Sequence, residues 1–282
     1  MKVHLTKKTL NSNLLIFRND RKTIGLVPTM GALHIGHLEL VKKAKESTDV
    51  VVVSIYVNPT QFNNPADFEK YPKTLDKDLE ILDKIGVNIV FTPENQEIYP
   101  SNPKLRLNFG LLEEVLEGAF RPGHFNGVGI VVSKLLNIVK PDVAFFGQKD
   151  LQQVAIIKRL VSDLSFDVKI DVVRTVREAD GLAFSSRNMR LNPNERMAAL
   201  VLSKALFFAK SELLRGVDWL TVKNQAVQLF ESEPLCRLEY FELVDPNTFK
   251  ILESFNPRDL SSICTAAYVG EVRLIDNLPI ID

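Results

Sequence analysis

The sequence predicts an α/β chain, a doubly wound parallel sheet followed by a second, smaller α+β domain. Three observations lead there. Through the first 175 residues short apolar, often β-branched runs alternate with segments of helical period. The stretches that follow three of those runs, Pro28-Thr29-Met30-Gly31, Asn58-Pro59-Thr60-Gln61 and Gly147-Gln148-Lys149-Asp150, are polar or rich in Gly and Pro, as loops at a sheet edge are. Beyond residue 176 the order changes, with long helical segments first and strand-like runs after them. The expected division is therefore 1–175 and 176–282.

Taken in order, Ile24 to Val27 reads as a strand ending at Pro28, and His34 to Glu46 as a helix. Val50 to Tyr56 is a continuous run suited to a buried parallel strand. Thr74 to Ile85 is a helix stopped by Gly86, and Asn88 to Phe91 is the next strand. A helix from about Asn126 to Val139 leads through Pro141 to a strand at Val143 to Phe146. Leu151 to Leu164 is helical and Val168 to Val173 a strand. Strand, helix and strand repeated in this way mean parallel strands joined by right-handed crossovers, a Rossmann-like arrangement. In the second domain two helices, about Asn194 to Leu214 and Asp218 to Glu231, precede strands at Leu238 to Val244, Ile263 to Val269 and Val272 to Ile275.

Composition narrows the function classes. Lys+Arg and Asp+Glu each total 35, so the formal net charge is zero and the usual footprint of a nucleic-acid or membrane-surface binder is missing. The longest apolar run, Val50 to Val53 continuing through Ser54 to Val57, is far too short to span a bilayer. No apolar stretch follows Lys2, Lys7 and Lys8, so no secretory signal is expected, and with only two cysteines the location reads as cytoplasmic. Cys236 and Cys264 have no metal-type spacing and are expected in strands as small apolar residues. No metal ligand set is predicted.

Three segments carry chemistry. In the first, Met30-Gly31-Ala32-Leu33 leads from a strand into His34-Ile35-Gly36-His37 at a helix start. The two imidazoles share one face there, beside N–H groups and a dipole end that attract phosphate, and Gly36 lets a nucleotide lie close. Two surface histidines on an amphipathic helix are the plainer reading. In the second, Gly147-Gln148-Lys149-Asp150 places a lysine on a turn opening a helix, where it can meet charge developing on a phosphate. Asp150 suits a helix cap, and Gln153 can hydrogen-bond a polar substrate. In the third, Phe184-Ser185-Ser186-Arg187 offers two hydroxyls and a guanidinium to a polyphosphate, or else a polar linker with an N-cap. Such a loop could close over ATP and exclude water. Gln61 lies beyond the second strand, and Arg121 and His124 add a cation and an imidazole on a Pro-Gly loop.

These segments resemble the pantoate–β-alanine ligase family of the nucleotidyltransferases that share the His-Ile-Gly-His signature. The likeness runs from about Ile24 to Leu274-Ile275-Asp276-Asn277 and rests on four stretches. They are Pro28 to His37, Val57 to Phe62, Phe145-Phe146-Gly147-Gln148-Lys149-Asp150, and Thr175-Val176-Arg177-Glu178 through Asn188. What the resemblance implies is a two-step ligation. Pantoate is adenylated by ATP with loss of pyrophosphate, and β-alanine then displaces AMP to give pantothenate. It implies that His34 and His37 steady the transferring phosphoryl group, with His37 the proton donor. Lys149, Ser185, Ser186 and Arg187 would hold the β- and γ-phosphates, and Gln61 and Gln153 would grip pantoate. The backbone near Gly147 and Val176 would meet adenine and ribose. Arg121 and His124 would help receive β-alanine, and Mg2+ would bridge phosphates mostly through water, with Asp78 a candidate contact. A homodimer is implied as well. Two residues depart from the family pattern, Gln148 where Glu is more frequent and Phe184 where Met is usual.

Two other readings stay open on sequence grounds. A nucleotidyltransferase acting on a phosphorylated alcohol would need further basic residues. A nucleotide sensor without turnover gives His34, His37 and Lys149 no reason to occur together.

Overall fold

The computed structural model describes residues 1–63 and 68–281. By its internal contacts the chain divides into two compact units, Met1–Gln148 with Ile156–Arg174, and Lys149–Ala155 with Thr175–Asp282.

The first unit is built on six parallel strands: β1 (Lys2–His4), β2 (Ile24–Thr29), β3 (Val50–Ile55), β4 (Ile89–Phe91), β5 (Val143–Gly147) and β6 (Lys169–Val173). Their spatial order is β1-β4-β3-β2-β5-β6. Helices α1 (Lys7–Asn19), α2 (Ile35–Ser47), α3 (Leu75–Lys84), α4 (His124–Val139) and α5 (Leu151–Asp163) connect them. The doubly wound α/β class expected from the sequence is the observed one. All six residues of β3, Val-Val-Val-Val-Ser-Ile, are buried, as a strand covered on both faces requires. From β2 the chain adds β3 on one side, with β4 and β1 beyond it, and later lays β5 and β6 on the other. The order therefore reverses between β2 and β5, and the crevice beyond their carboxyl ends is where such sheets hold ligands. Gly25 keeps the layers close, because a Cβ there would sit 2.5 Å from Thr48 Oγ1 and 3.1 Å from the Phe145 ring.

Several boundaries differ from expectation for identifiable reasons. The β2 strand continues through Pro28 and Thr29. Its pairing with β5 covers only Gly25 and Leu26, so Pro28 lies where the strand has β3 alone as a partner and a missing N–H is tolerated. Neither β1 nor α1 is signalled by the sequence: β1 is a three-residue edge strand, and α1 buries only Leu10, Asn13 and Leu14.

In the second unit, α6 (Leu200–Leu214) and α7 (Trp219–Glu231) pack with an antiparallel sheet of β7 (Cys236–Val244), β8 (Ser262–Val269) and β9 (Val272–Pro279). This is the small α+β arrangement predicted. The single helix expected from Asn194 to Leu214 is broken into Pro193–Ala198 and α6, with Ala199 between. Ala198 to Leu202 are all buried, more consecutive residues than one helical stripe can cover, and the Leu202 N–H turns back to the Ala199 carbonyl, a tightened step. The β9 strand runs past Ile275 because Asp276 and Asn277, polar in sequence, are buried and paired with β8. Cys236 and Cys264 both lie in strands and are unbridged.

Candidate active site

In the first unit the turn after β2 is tightly wound. Gly31 has φ 81° and Ala32 φ 51°, the second an unusual value for a residue with a Cβ. The buried carboxylate of Asp78, from the first turn of α3, holds this turn. The Ala32 N–H donates to Oδ2 at 2.9 Å and the Leu33 N–H to Oδ1 at 2.8 Å, while Thr74 Oγ1 donates to Oδ2 at 3.0 Å. A Cβ on Gly31 would approach Oδ2 to 3.1 Å, so the glycine admits the carboxylate as well as the positive φ. Asp78 is thus a staple of the loop, with both oxygens accepting main-chain N–H groups, which is a different task from the magnesium contact that the family likeness implied for it.

The two histidines cap α2. His34 is the N-cap, and its Nδ1 accepts the Gly36 N–H at 3.2 Å. His37, in the third helical position, accepts the His34 N–H at Nδ1 at 3.3 Å. The pair forms a reciprocal capping box made of imidazoles, with ring centroids 4.1 Å apart. Two N–H groups expected to face a phosphate are therefore occupied by the rings themselves. A neutral imidazole that accepts at Nδ1 carries its proton on Nε2.

Gln61 closes a 3₁₀ turn, Pro59–Gln61, after β3. Asn58, 1% exposed, donates from Nδ2 to Gln61 Oε1 at 3.1 Å and to the Gly127 carbonyl at 3.3 Å. Asn58 Oδ1 in turn accepts the hydroxyls of Thr60 and Tyr99, each at 3.0 Å. Burial pushes the Tyr99 phenol above its ordinary value, so it stays a donor. Fixing Oε1 fixes the amide, and Gln61 Nε2 lies 3.0 Å from Met30 Sδ, which joins this residue to the turn after β2. His124 is the first residue of α4, not part of a loop. Its Nδ1 donates to the Gln61 carbonyl at 2.8 Å, supporting the Gln61 main chain from a buried position. Arg121 pairs with the Glu117 carboxylate at 3.4 Å. At the end of β5 the buried Phe145 and Phe146 anchor Gly147, where an added Cβ would meet nothing within 4 Å, so the main chain is open there.

In the second unit Lys149 and Asp150 belong to a 3₁₀ turn that runs directly into α5, with Gln153 half-buried one turn on. The Lys149 carbonyl accepts from Asn277 Nδ2 at 2.8 Å. Residues Val176 to Phe184 fold back on themselves: the Phe184 N–H donates to the Val176 carbonyl, the Glu178 N–H to the Leu182 carbonyl, and Arg177 bridges to Ala183. Ser185 caps the following 3₁₀ turn Ser186–Arg190, accepting the Arg187 N–H at 3.2 Å, so the structural role weighed for this segment is real. Its hydroxyl hydrogen remains available to an acceptor. Behind the arm, Glu178 accepts from Asn188 at 3.2 Å and from Arg196 at 2.8 Å, and Arg196 also reaches Asp180 at 2.7 Å. Lys149 and the Val176–Arg187 segment are thus both tied to β9, one through Asn277 and the other through an Arg177–Asp276 pair.

Sequence reasoning did not single out Asp78 as a staple, nor the roles of Asn58, Asp276 and Asn277. Asn58 lies inside one of the stretches that carry the family likeness, which was the available signal, whereas Asp276 and Asn277 lie only at its C-terminal limit. Among the described residues no three His, Cys, Asp or Glu side chains gather as a metal site, and no helix is long and apolar enough to cross a membrane.

Residues 2–279 match the family described as pantoate-beta-alanine ligase. A pantothenate synthetase of Thermoanaerobacter sp. strain X514 is 51% identical over 258 residues, covering 91% of this chain and 90% of its own. That of Phocaeicola vulgatus is 48% identical over 99% of both chains. Among solved structures, the pantothenate synthetase of Thermus thermophilus superposes with a TM-score of 0.94 at 38% identity, covering 100% of each chain. The Francisella tularensis pantoate-beta-alanine ligase, complexed with beta-gamma ATP and beta-alanine, gives 0.80 at 39% identity over 99% of this chain and 98% of its own. With a family match over nearly the whole length and relatives near half identity, the chain belongs to the pantoate–β-alanine ligase family.

Proposed function

We propose that the protein makes pantothenate from pantoate, β-alanine and ATP through a pantoyl-adenylate intermediate. A pantoate carboxylate oxygen bonds to the α-phosphorus of ATP as the bond to pyrophosphate breaks. The β-alanine nitrogen then bonds to the activated carbonyl carbon, loses a proton, and AMP departs with the electrons of the C–O bond. Each residue follows its chemistry. Nε2–H of His34 and His37 donates to phosphoryl oxygens as charge grows on them, the kind of interaction whose removal costs roughly 100- to 1,000-fold in rate. Lys149, Ser185, Ser186 and Arg187 hold the β- and γ-phosphates, the part that becomes pyrophosphate. Gln61, its amide fixed by Asn58, and Gln153 take pantoate. The main chain of Met30 to Gly36, of Gly147, Gln148 and Asp150, and of Val176 and Phe184 meets the nucleotide.

Magnesium enters with the substrate as MgATP. A protein cage does not fit, because no suitable donors gather among the described residues and Asp78 is committed to the turn after β2. A cytoplasmic location and a homodimer belong to the same reading, the first supported by the two unbridged cysteines and the second by the family likeness.

The observation that carries the proposal is the imidazole pair capping α2 at the sheet's switch point. The test is exchange of labelled pyrophosphate into ATP. It should require pantoate, and His37→Ala or Lys149→Ala should abolish it while far-UV circular dichroism stays as in the parent. Near-normal exchange in both variants would remove these roles. A stable dinucleotide product would favour a nucleotidyltransferase, and ATP binding without turnover a sensor.

A further inference from the structure

Asp276 and Asn277 are an anomaly of β9. Both are 3% exposed, opposite Thr265 and Cys264 of β8, in a strand where Leu274 and Val272 supply the buried apolar face. Their side chains do little for the sheet itself. Asp276 takes the guanidinium of Arg177 on both oxygens, at 2.7 and 3.0 Å, and Oδ1 also accepts the Asn277 N–H at 2.8 Å. Arg177 spends its remaining reach on the carbonyls of Gly181, at 3.0 Å, and Asn277, at 3.1 Å, with the Phe207 ring 5.2 Å from its carbon. The fold-back that leads to Ser185, Ser186 and Arg187 is thereby tied to β9 near its start, and the same Arg177 grips its turn at Gly181. Asn277 donates to the main-chain carbonyl of Lys149 at 2.8 Å. A buried ion pair is weak evidence for stability, since packed apolar residues serve a core as well. What two adjacent polar residues supply here, and apolar ones would not, is direction: one side chain for the lysine segment and one for the serine–arginine arm.

We propose that Asp276 and Asn277 are positioning residues for the pyrophosphate-releasing half of the reaction, setting the main chain from which Lys149, Ser185, Ser186 and Arg187 reach the β- and γ-phosphates. The inference rests on the phosphate role proposed for those four residues. It has a signature that a purely structural role lacks. The β- and γ-phosphates leave with the first half-reaction, so the second, attack of β-alanine on preformed pantoyl adenylate, no longer uses the four phosphate-binding side chains that Asp276 and Asn277 position.

The experiment measures both half-reactions in the full-length Asn277→Ala protein: pantoate-dependent exchange of pyrophosphate into ATP, and pantothenate formation from synthetic pantoyl adenylate and β-alanine. A misplacement of about 1 Å costs up to roughly 100-fold, so exchange should fall by about 10- to 100-fold while the second half-reaction keeps a rate close to the parent's. Equal loss in both, or loss in neither, overturns the inference. Should the alanine variant not fold, Asn277→Ser, whose hydroxyl is too short to reach the carbonyl, is measured in the same two assays against the same criteria. Lys149→Ala runs alongside. If it loses exchange while Asn277→Ala does not, the positioning role alone fails; if Lys149→Ala keeps exchange, the phosphate role beneath it fails too.

Discussion

Replacing Asp78 should damage a loop that it never touches in sequence. Its carboxylate accepts the Ala32 and Leu33 N–H groups at 2.9 and 2.8 Å from a position only 1% exposed, and those residues lead into His34. Hydrogen bonds to a charged group contribute about 1.5–3 kcal/mol each, and a buried donor left unmet costs a similar amount. Asp78→Asn keeps one carbonyl oxygen but turns an NH2 group toward the other donor, so it forfeits one bond, about 1.5–3 kcal/mol. Asp78→Ala forfeits both, about 3–6 kcal/mol, a large share of the roughly 5–15 kcal/mol that holds a typical domain. With the staple gone, nothing at Asp78 holds Ala32 at its positive φ, and the His34–His37 cap should shift with the turn. Urea unfolding followed by circular dichroism reads the stability, and pantoate-dependent pyrophosphate exchange reads the site. The expected order in both is parent, then asparagine, then alanine. An asparagine variant within about 0.5 kcal/mol of the parent and with full exchange would show that the carboxylate does not hold the turn.

Other expectations follow from single contacts. Gly127 of α4 lies against the turn that carries Gln61, and a Cβ there would come within 2.2 Å of the Thr60 carbonyl oxygen and 2.8 Å of Gln61 Cα. Gly127→Ala should therefore cost about 1–3 kcal/mol by overpacking and raise KM for pantoate more than KM for ATP; equal KM values to the parent's in steady-state assays would contradict the placement of Gln61. Burial, with Glu233 adding to it, pushes the Cys236 thiol up to about 11, so the folded state favours its protonated form. The stability this contributes is complete below the unfolded-state thiol range and is lost as pH rises through about 11. Thermal melts from about pH 8 to about pH 11 should show a decline that is shallower in Cys236→Ala, and iodoacetamide should label the native thiol slowly at about pH 8. Rapid labelling of the folded protein would refute the burial argument.

Much of the fold was legible because it rests on local signals. Val50 to Val53 can be little other than a buried strand, and Gly86 stops a helix by its own backbone freedom. Where local signals ran out, packing decided. The three residues of β1 have no pattern of their own and become a strand because β4 offers an edge. Ala199 interrupts a helix because five successive residues around it must all be buried. The β9 strand carries Asp276 and Asn277 inward because partners for their side chains arrive from far along the chain, Arg177 from 99 positions away and the Lys149 carbonyl from 128.

The candidate site divides in the same way. His34, His37, Gln61, Lys149 and the serines with Arg187 are conspicuous in sequence because reactive side chains on Gly- and Pro-rich turns after strands have few structural reasons to be there. How they are held was not. His124 donates to a carbonyl 63 residues away, Asp78 to Ala32 spans 46, and Asn277 to Lys149 spans 128. The tautomers of the two imidazoles, the direction of the Gln61 amide and the purpose of Asp78 all follow from such bonds. By itself the sequence determined the class of fold, the family and which side chains are proposed to act on a phosphate, since each is encoded in residues adjacent along the chain. Only the tertiary structure decided which donors those side chains present, because a hydrogen bond has a direction, and that direction is set by partners the chain brings back from far away.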